Sequence, residues 1–292
     1  MGIMRFAGHE TFACRSTWLI KGAEAVRDSG WAYFTLPESV VRLGVGKNMV
    51  LSIRYWMQAF NVCDGTGEFG PSASLFIRRK GPAIDPLLES QDSLWLLHVE
   101  LVNTGFASIY SFFFKEFFKR KSGRFFTESE FHRSLASALI SSNQRIPSHQ
   151  TLVKDFKVLL DLYCVRPMEK NEEAFMNLLT DLNLVVRTAQ KVDGEPVYEL
   201  NMDASATVSN AFLGALLMDV LDENSSVSFD RVYESVGTVL LFTREAFLLR
   251  LYKVCEDFPE YFVFKEDAGI RELQGKRLTT KMEFFHSSIM LS

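Results

Sequence analysis

Along most of the chain the apolar residues recur every three to four positions, the period of helices packed on one side. Trp18, Leu19, Ala23 and Val26 form one such stripe. Thr35, with Glu38 three residues on, has the spacing of a capping box and predicts a short helix to Leu43, stopped by Gly44. From Lys47 to Phe60 the residues Met49, Val50, Ile53, Trp56, Met57 and Phe60 share one face. Residues 91–118 read as two helices parted near Asn103–Gly105. Thr127 with Glu130, then Ser148, and later Thr243 mark further helix starts, and "NAFLGALLMDVLDE" is one more helix.

The pattern becomes strand-like in a few places. "DLNLVVRTAQKVDGEPVYELN" places two apolar-rich strands around Asp193-Gly194, the turn dipeptide of a tight hairpin. "YFVFKED" predicts a strand near the end, and "ASLFIRRKGPAIDP" (73–86) a short strand and turn at the place of a wing. Helix, helix, hairpin is the order of a winged helix, a helix-turn-helix followed by a two-stranded wing. The fold class expected is therefore mainly α with small β-hairpins (α+β), built from winged-helix or helix-turn-helix-like units. Three domains are expected: a DNA-binding winged-helix-like one over 1–90, a helical region with a winged-helix-like hairpin over 91–203, and an acidic helical one over 204–292.

Composition narrows the class. The 292 residues are 47% hydrophobic and include 26 phenylalanines, which is enough for a real core and excludes a disordered chain. The most apolar window, 94–118, is interrupted by His98, Glu100, Asn103 and Lys115, so it predicts buried helices and no membrane association. No secretory signal pattern opens the chain, and the four cysteines lack zinc spacing. Reduced thiols in the cytoplasm are expected. Charge is segregated: residues 1–170 carry 21 Lys and Arg against 16 Asp and Glu, residues 171–292 carry 11 against 20. A polyanion would meet the front part.

"LGVGKNMV" tests for a phosphate loop and fails. That loop needs a glycine where Val41 stands and Ser or Thr where Asn48 stands, so no nucleotide cofactor is expected. As a helix-turn-helix the same stretch places Lys47, Asn48, Arg54 and Tyr55 away from the apolar stripe. Lysine and arginine neutralise phosphates, and asparagine can bond adenine. The alternative is an ordinary helical hairpin with a solvated face. In "FFFKEFFKRKSGRFF" the phenylalanines suit a core, while Lys119, Arg120 and Lys121 form a loop that can face DNA.

His9, Glu10 and Arg15 are the catalytic candidates: the set can bind a metal or stabilise a phosphoryl transition state. The alternative is a salt-bridged segment packed against the first domain. Asp219, Asp222 and Glu223 have the spacing of a two-metal site but no Lys or His beside them, so an acidic solvated face is expected. His98, two residues before Glu100, reads as a satisfied core histidine.

"FAGHETF", "RSTWLIKG", "VVRLGVGKNMVLSIRYW", "DSLWLLHVEL", "TLVKDFKVLLDLY" and "FKEDAGIREL" follow one another here as in a single bacterial family. Over nearly its whole length the chain resembles the uncharacterised-domain family that includes the SspB component of Ssp DNA-phosphorothioation systems. The resemblance implies a DNA-binding component of a phage-defence system that nicks one strand of double-stranded DNA for sulfur insertion, with Mg2+ or Mn2+ as cofactor. Implied partners are a cysteine desulfurase, a sulfurtransferase of the ATP pyrophosphatase type and an ATPase. A non-catalytic DNA-binding or recruitment subunit is the alternative.

Overall fold

A computed structural model describes residues 3–77, 83–121, 123–164, 177–221, 225–267, 269–277 and 279–289, with the backbone alone for 120 and 286–289. The architecture is α+β, mostly helical with small antiparallel sheets. The chain forms two units, Met1–Asn201 and Met202–Ser292.

The first unit begins with α1 (Ser16–Ser29), which packs on α3 (Lys47–Ala59). Gly22 makes the approach possible, because a Cβ there would lie 2.7 Å from Met57 Sδ. The capping box expected at Thr35 and Glu38 is absent. Residues Trp31–Thr35 wind into a 3-10 turn, and the Thr35 hydroxyl donates back to the Ala32 carbonyl at 2.7 Å. Helix α2 (Ser39–Leu43) therefore starts without a side-chain cap and ends, as expected, at Gly44 with φ 66°.

Among the described residues of 73–86 the expected strand does not form. Pro71 opens a 3-10 turn over Pro71–Leu75 instead, because its fixed φ suits the first position of a turn. Residues 78–82 of that stretch lie outside the described residues.

Helix α4 (Gln91–Thr104) is buried along most of its length and stops at left-handed Gly105. A helix of mixed pitch follows, α in its first and last turns (α5, Ser108–Ser111; α6, Phe118–Arg120) and π between them. Phe112, Phe113, Phe114 and Phe117 along it are all buried in the core.

Strand β1 (Phe125–Phe126) leads to α7 (Glu128–Ser141), opened by the reciprocal Thr127/Glu130 capping box, and α8 (His149–Tyr163), capped by Ser148. The hairpin β2 (Val185–Val192) and β3 (Glu195–Leu200) turns through Asp193 and Gly194, at φ 51° and 83°. The sheet order is β1-β3-β2, antiparallel, with Phe125 opposite Glu199 and Val185 opposite Leu200. Phe126, Phe131, Phe156 and Tyr198 interlock between α7, α8 and this sheet.

The second unit repeats the connectivity. Helix α9 (Asn210–Leu221) precedes β4 (Ser226–Ser228), α10 (Phe229–Val232) with a π turn to Gly237, and α11 (Arg244–Asp257), capped by Thr243. The strand expected from "YFVFKED" is one arm of a hairpin, β5 (Phe262–Asp267) and β6 (Ile270–Gly275), in a sheet ordered β4-β6-β5. Helix α12 (Lys281–Ile289) closes the unit against α9. Asp219 pairs with Lys281 at 2.7 Å, while Asp222 and Glu223 lie outside the described residues. Among the described residues no helix is long and apolar enough to cross a membrane.

Candidate functional site

The N-terminal residues cross the first unit as a strap. The Met4 amide donates to Gln144 Oε1 at 2.7 Å and the Arg5 amide to Ser108 Oγ at 2.9 Å. Next, both carboxylate oxygens of Asp155, on α8, accept the Ala7 amide at 3.2 and 3.0 Å. His9 Nε2 lies 2.9 Å from Asp155 Oδ1, and both side chains are buried. The Thr11 amide donates to His9 Nδ1 at 3.1 Å, so Nδ1 is an acceptor and the network assigns the proton to Nε2. His9 is then a neutral imidazole with both nitrogens engaged.

The loop held this way is strained. Ala7, Gly8, Glu10 and Thr11 have φ of 60°, 93°, 49° and 67°. Each non-glycine residue held there costs about 1–3 kcal/mol, and such conformations persist only where the surroundings enforce them. The surroundings here are Asp155 on one side and α3 on the other. The Tyr55 ring lies so close beneath Gly8 that a Cβ would sit 2.9 Å from it. The His9 ring meets Tyr55 edge-on at 5.8 Å and stacks with Trp56 at 6.4 Å, and the Trp56 indole donates to the Phe12 carbonyl at 3.0 Å. Burial pushes the Tyr55 phenol well up, with the Asp155 charge adding. Glu10 is left exposed on the loop.

The remaining sequence candidates are dispersed. Arg15 caps α1, bridges Asn177 through its backbone and lays its guanidinium over Trp18 at 5.6 Å. Lys47 and Asn48 are exposed at the start of α3, and Arg54 lies over Trp31 at 5.4 Å. Tyr55 is half-buried under the strap rather than on the open face of α3. Lys119 is exposed, Lys121 pairs with Glu130 at 2.6 Å, and the Arg120 side chain lies outside the described residues. Beside the strap a cleft of about 540 Å³ opens next to Arg5, Phe106, Ser108 and Lys115. Burial, then the Lys119 charge, holds the Lys115 amine below its ordinary range.

A family profile described as "Protein of unknown function (DUF4007)" matches residues 6–287. The chain belongs to the DUF4007 family. No curated protein matches it. Two solved structures do. "SspB crystal structure" superposes with a TM-score of 0.78 at 22% identity, and "Magnesium ion-bound SspB crystal structure" with 0.77 at 23%; each covers 97% of this chain and 86% of that one. At these identities the likeness is one of fold, and it extends over nearly the whole DUF4007 chain, as the sequence motifs implied.

Magnesium in that relative raises the question of a metal in this chain. Among the described residues no three His, Cys, Asp or Glu side chains converge to hold an ion. Asp155 directs its oxygens at Ala7 and His9, so the described residues do not make a resident metal site by themselves. His98 is a core residue: fully buried, with Nδ1 2.7 Å from the Tyr163 hydroxyl.

Asp155 is the residue the sequence reading missed. It does carry a signal. On α8 it falls in the apolar stripe of Leu152, Phe156 and Leu159, and a carboxylate on a buried stripe needs donors. What the sequence does not carry is that those donors lie 146 and 148 residues away.

Proposed function

We propose that the chain is a DNA-binding component of a phosphorothioation-based phage-defence system, nicking one strand of duplex DNA so that sulfur can enter. The observation that carries this reading is the repeated connectivity of helix, short strand, helix, helix and hairpin on an SspB-like fold. We read both repeats as winged helices: α7 and α8 with the β2–β3 wing, α10 and α11 with the β5–β6 wing.

For the nick, the strained loop of the strap supplies the chemistry. Glu10, exposed on that loop, would take the proton of a water whose oxygen bonds to the phosphorus as one P–O(sugar) bond breaks. The leaving sugar oxygen would take a proton from solvent, and Arg15 would face the charge that gathers on the phosphate. His9 holds the loop's shape. Since the described residues form no metal-ligand set, no step is assigned to Mg2+ or Mn2+. Lys47, Asn48, Arg54 and the loop at Lys119–Lys121 would guide DNA. A cysteine desulfurase, a sulfurtransferase of the ATP pyrophosphatase type and an ATPase would use the opened strand.

Relaxation of supercoiled plasmid by the purified protein, with each metal and with and without the partner proteins, tests this. Nicked circles that disappear in Glu10→Gln support it; plasmid that stays supercoiled under every condition removes the enzyme. One observation favours a second reading, a non-catalytic recruitment subunit: both nitrogens of His9 are already bonded, which leaves it no lone pair to act as a base. That reading expects duplex binding without cleavage.

A further inference from the structure

The two repeats share a connectivity but present opposite chemistry on their outer faces. In α8 the buried stripe leaves His149, Gln150, Lys154 and Lys157 exposed, and positions 150, 154 and 157 follow one edge of the helix. Arg145 is exposed in the turn before it, and Arg187 and Lys191 are exposed on the β2 arm of the hairpin. Among the described residues none of these five cations has an ion-pair or hydrogen-bond partner. Several other cations are matched, among them Arg124 with Glu199 at 2.7 Å, Lys281 with Asp219 at 2.7 Å, and Arg244 with Asp230.

The buried side of α8 packs on the sheet that carries the hairpin. The His149 ring is 6.1 Å from the His132 ring on α7, and Phe156 of α8 touches Tyr198 of β3 at 6.0 Å. Glu195, at the base of the turn, takes both the amide and the hydroxyl of Ser129 at the start of α7. Those donors and the nearby Arg133 hold its carboxyl below the ordinary range. The acidic groups on this side are Glu128, Asp193 and Glu195, with Asp161 on α8 one turn beyond Lys157.

At the equivalent place in the second unit, α11 exposes Glu245, Leu249, Tyr252, Lys253 and Glu256. Leu249 is 70% exposed, and Lys253 reaches Glu256 at 3.5 Å. Residues 202–292 carry 9 Lys and Arg against 14 Asp and Glu. A polyanion is repelled there.

From this contrast we infer that duplex DNA docks on the first unit through Arg145, Gln150, Lys154 and Lys157 of the α8 region and Arg187 and Lys191 of the hairpin, and that the second unit takes no part in holding it. The inference rests on the DNA-binding reading above. It puts the footprint on a helix that was not among the sequence candidates. It also links grip to chemistry: Lys154 is adjacent to Asp155, so the helix that would hold the backbone phosphates also pins the strap that carries Glu10.

The test is fluorescence anisotropy of a labelled 30-base-pair duplex with the full chain, at about 25–200 mM salt, where each phosphate contact contributes about 0.9 to the log–log slope. All substituted side chains are exposed, and circular dichroism verifies folding. Lys154→Glu/Lys157→Glu should lower affinity at least tenfold at about 100 mM salt and reduce the slope by about 2. Arg187→Glu/Lys191→Glu should do the same, and Lys253→Glu should bind as the wild type. If the wild type binds and the α8 variant stays within twofold of it, the inference is overturned while the DNA reading stands; a loss in Lys47→Glu instead would return the footprint to α3. If only the hairpin variant binds normally, the hairpin leaves the footprint. If the wild type shows no binding at about 25 mM salt, the DNA reading falls and the inference with it.

Discussion

Asp155→Asn is the most informative single change, because it preserves volume and removes one acceptor. The carboxylate now accepts from the Ala7 amide and from His9 Nε2. An asparagine with its oxygen at the Oδ1 place can still accept from both, but its amide nitrogen then faces the Ala7 amide, and in the reversed orientation it faces His9 Nε2. His9 cannot escape by changing tautomer, since its Nδ1 already accepts from Thr11. A buried donor left unsatisfied costs about 1–3 kcal/mol, and a hydrogen bond that loses its charge about 1 kcal/mol more. The expected loss is therefore about 2–4 kcal/mol. In a unit the size of Met1–Asn201, each kcal/mol moves the midpoint by about 2–4 °C, so the transition of this unit should fall by roughly 4–16 °C.

Differential scanning calorimetry reads the midpoint, and hydrogen exchange at the Ala7 and Thr11 amides reads the strap itself. The left-handed residues of the loop should relax when the pin is lost, so exchange there should rise more than in the core of α4. If the loop performs the chemistry, nicking should fall while duplex affinity holds. A midpoint within about 1 °C of the wild type, with both amides still protected, would refute the assignment of Asp155 as the pin.

Other changes read separate parts of the argument. Gly8→Ala should cost about 1–3 kcal/mol in urea unfolding through its contact with Tyr55, on top of its left-handed φ. Gly44→Ala, also left-handed but with open space around it, should cost only about 1 kcal/mol, and equal losses would remove the steric argument. His132 is held below the ordinary histidine range, first by burial and then by the His149 charge, against the Leu152 backbone. Its neutral form is favoured in the fold, so its contribution to stability is complete above about pH 6.5 and is lost as pH falls through the lowered value. Glu128, raised by burial and by Glu195, acts with the opposite sign near the carboxylate range. Melts between about pH 7 and 5.5 should flatten in His132→Gln, and an unchanged slope would sink this account. Burial raises the Cys14 thiol, and Cys63 and Cys255 are pushed up to about 12 and about 11. A thiol reagent at pH 8 should therefore react slowly with the native protein and fully after unfolding; rapid native labelling would contradict it.

What could be read along the chain was whatever short stretches decide alone. The Thr127/Glu130 box, the Ser148 and Thr243 caps, the Gly44 stop and the Asp193-Gly194 turn all satisfy their own backbone groups within a few residues, and each forms where its chemistry predicts. The rejection of a phosphate loop at "LGVGKNMV" was equally local, and the family motifs carried the fold over nearly the full length.

Even local signals lost where a competing local bond was available. The 3-10 turn took the Thr35 hydroxyl, and Pro71 wound the start of the expected wing into a 3-10 turn. Only tertiary structure could bring Asp155 to His9, seat Tyr55 under Gly8, or lay Phe125 beside Glu199 to complete a three-stranded sheet. The physical reason is the same in each case. A buried donor, a close ring and an open strand edge are satisfied by whatever the fold brings near, and sequence distance says nothing about which residue that is.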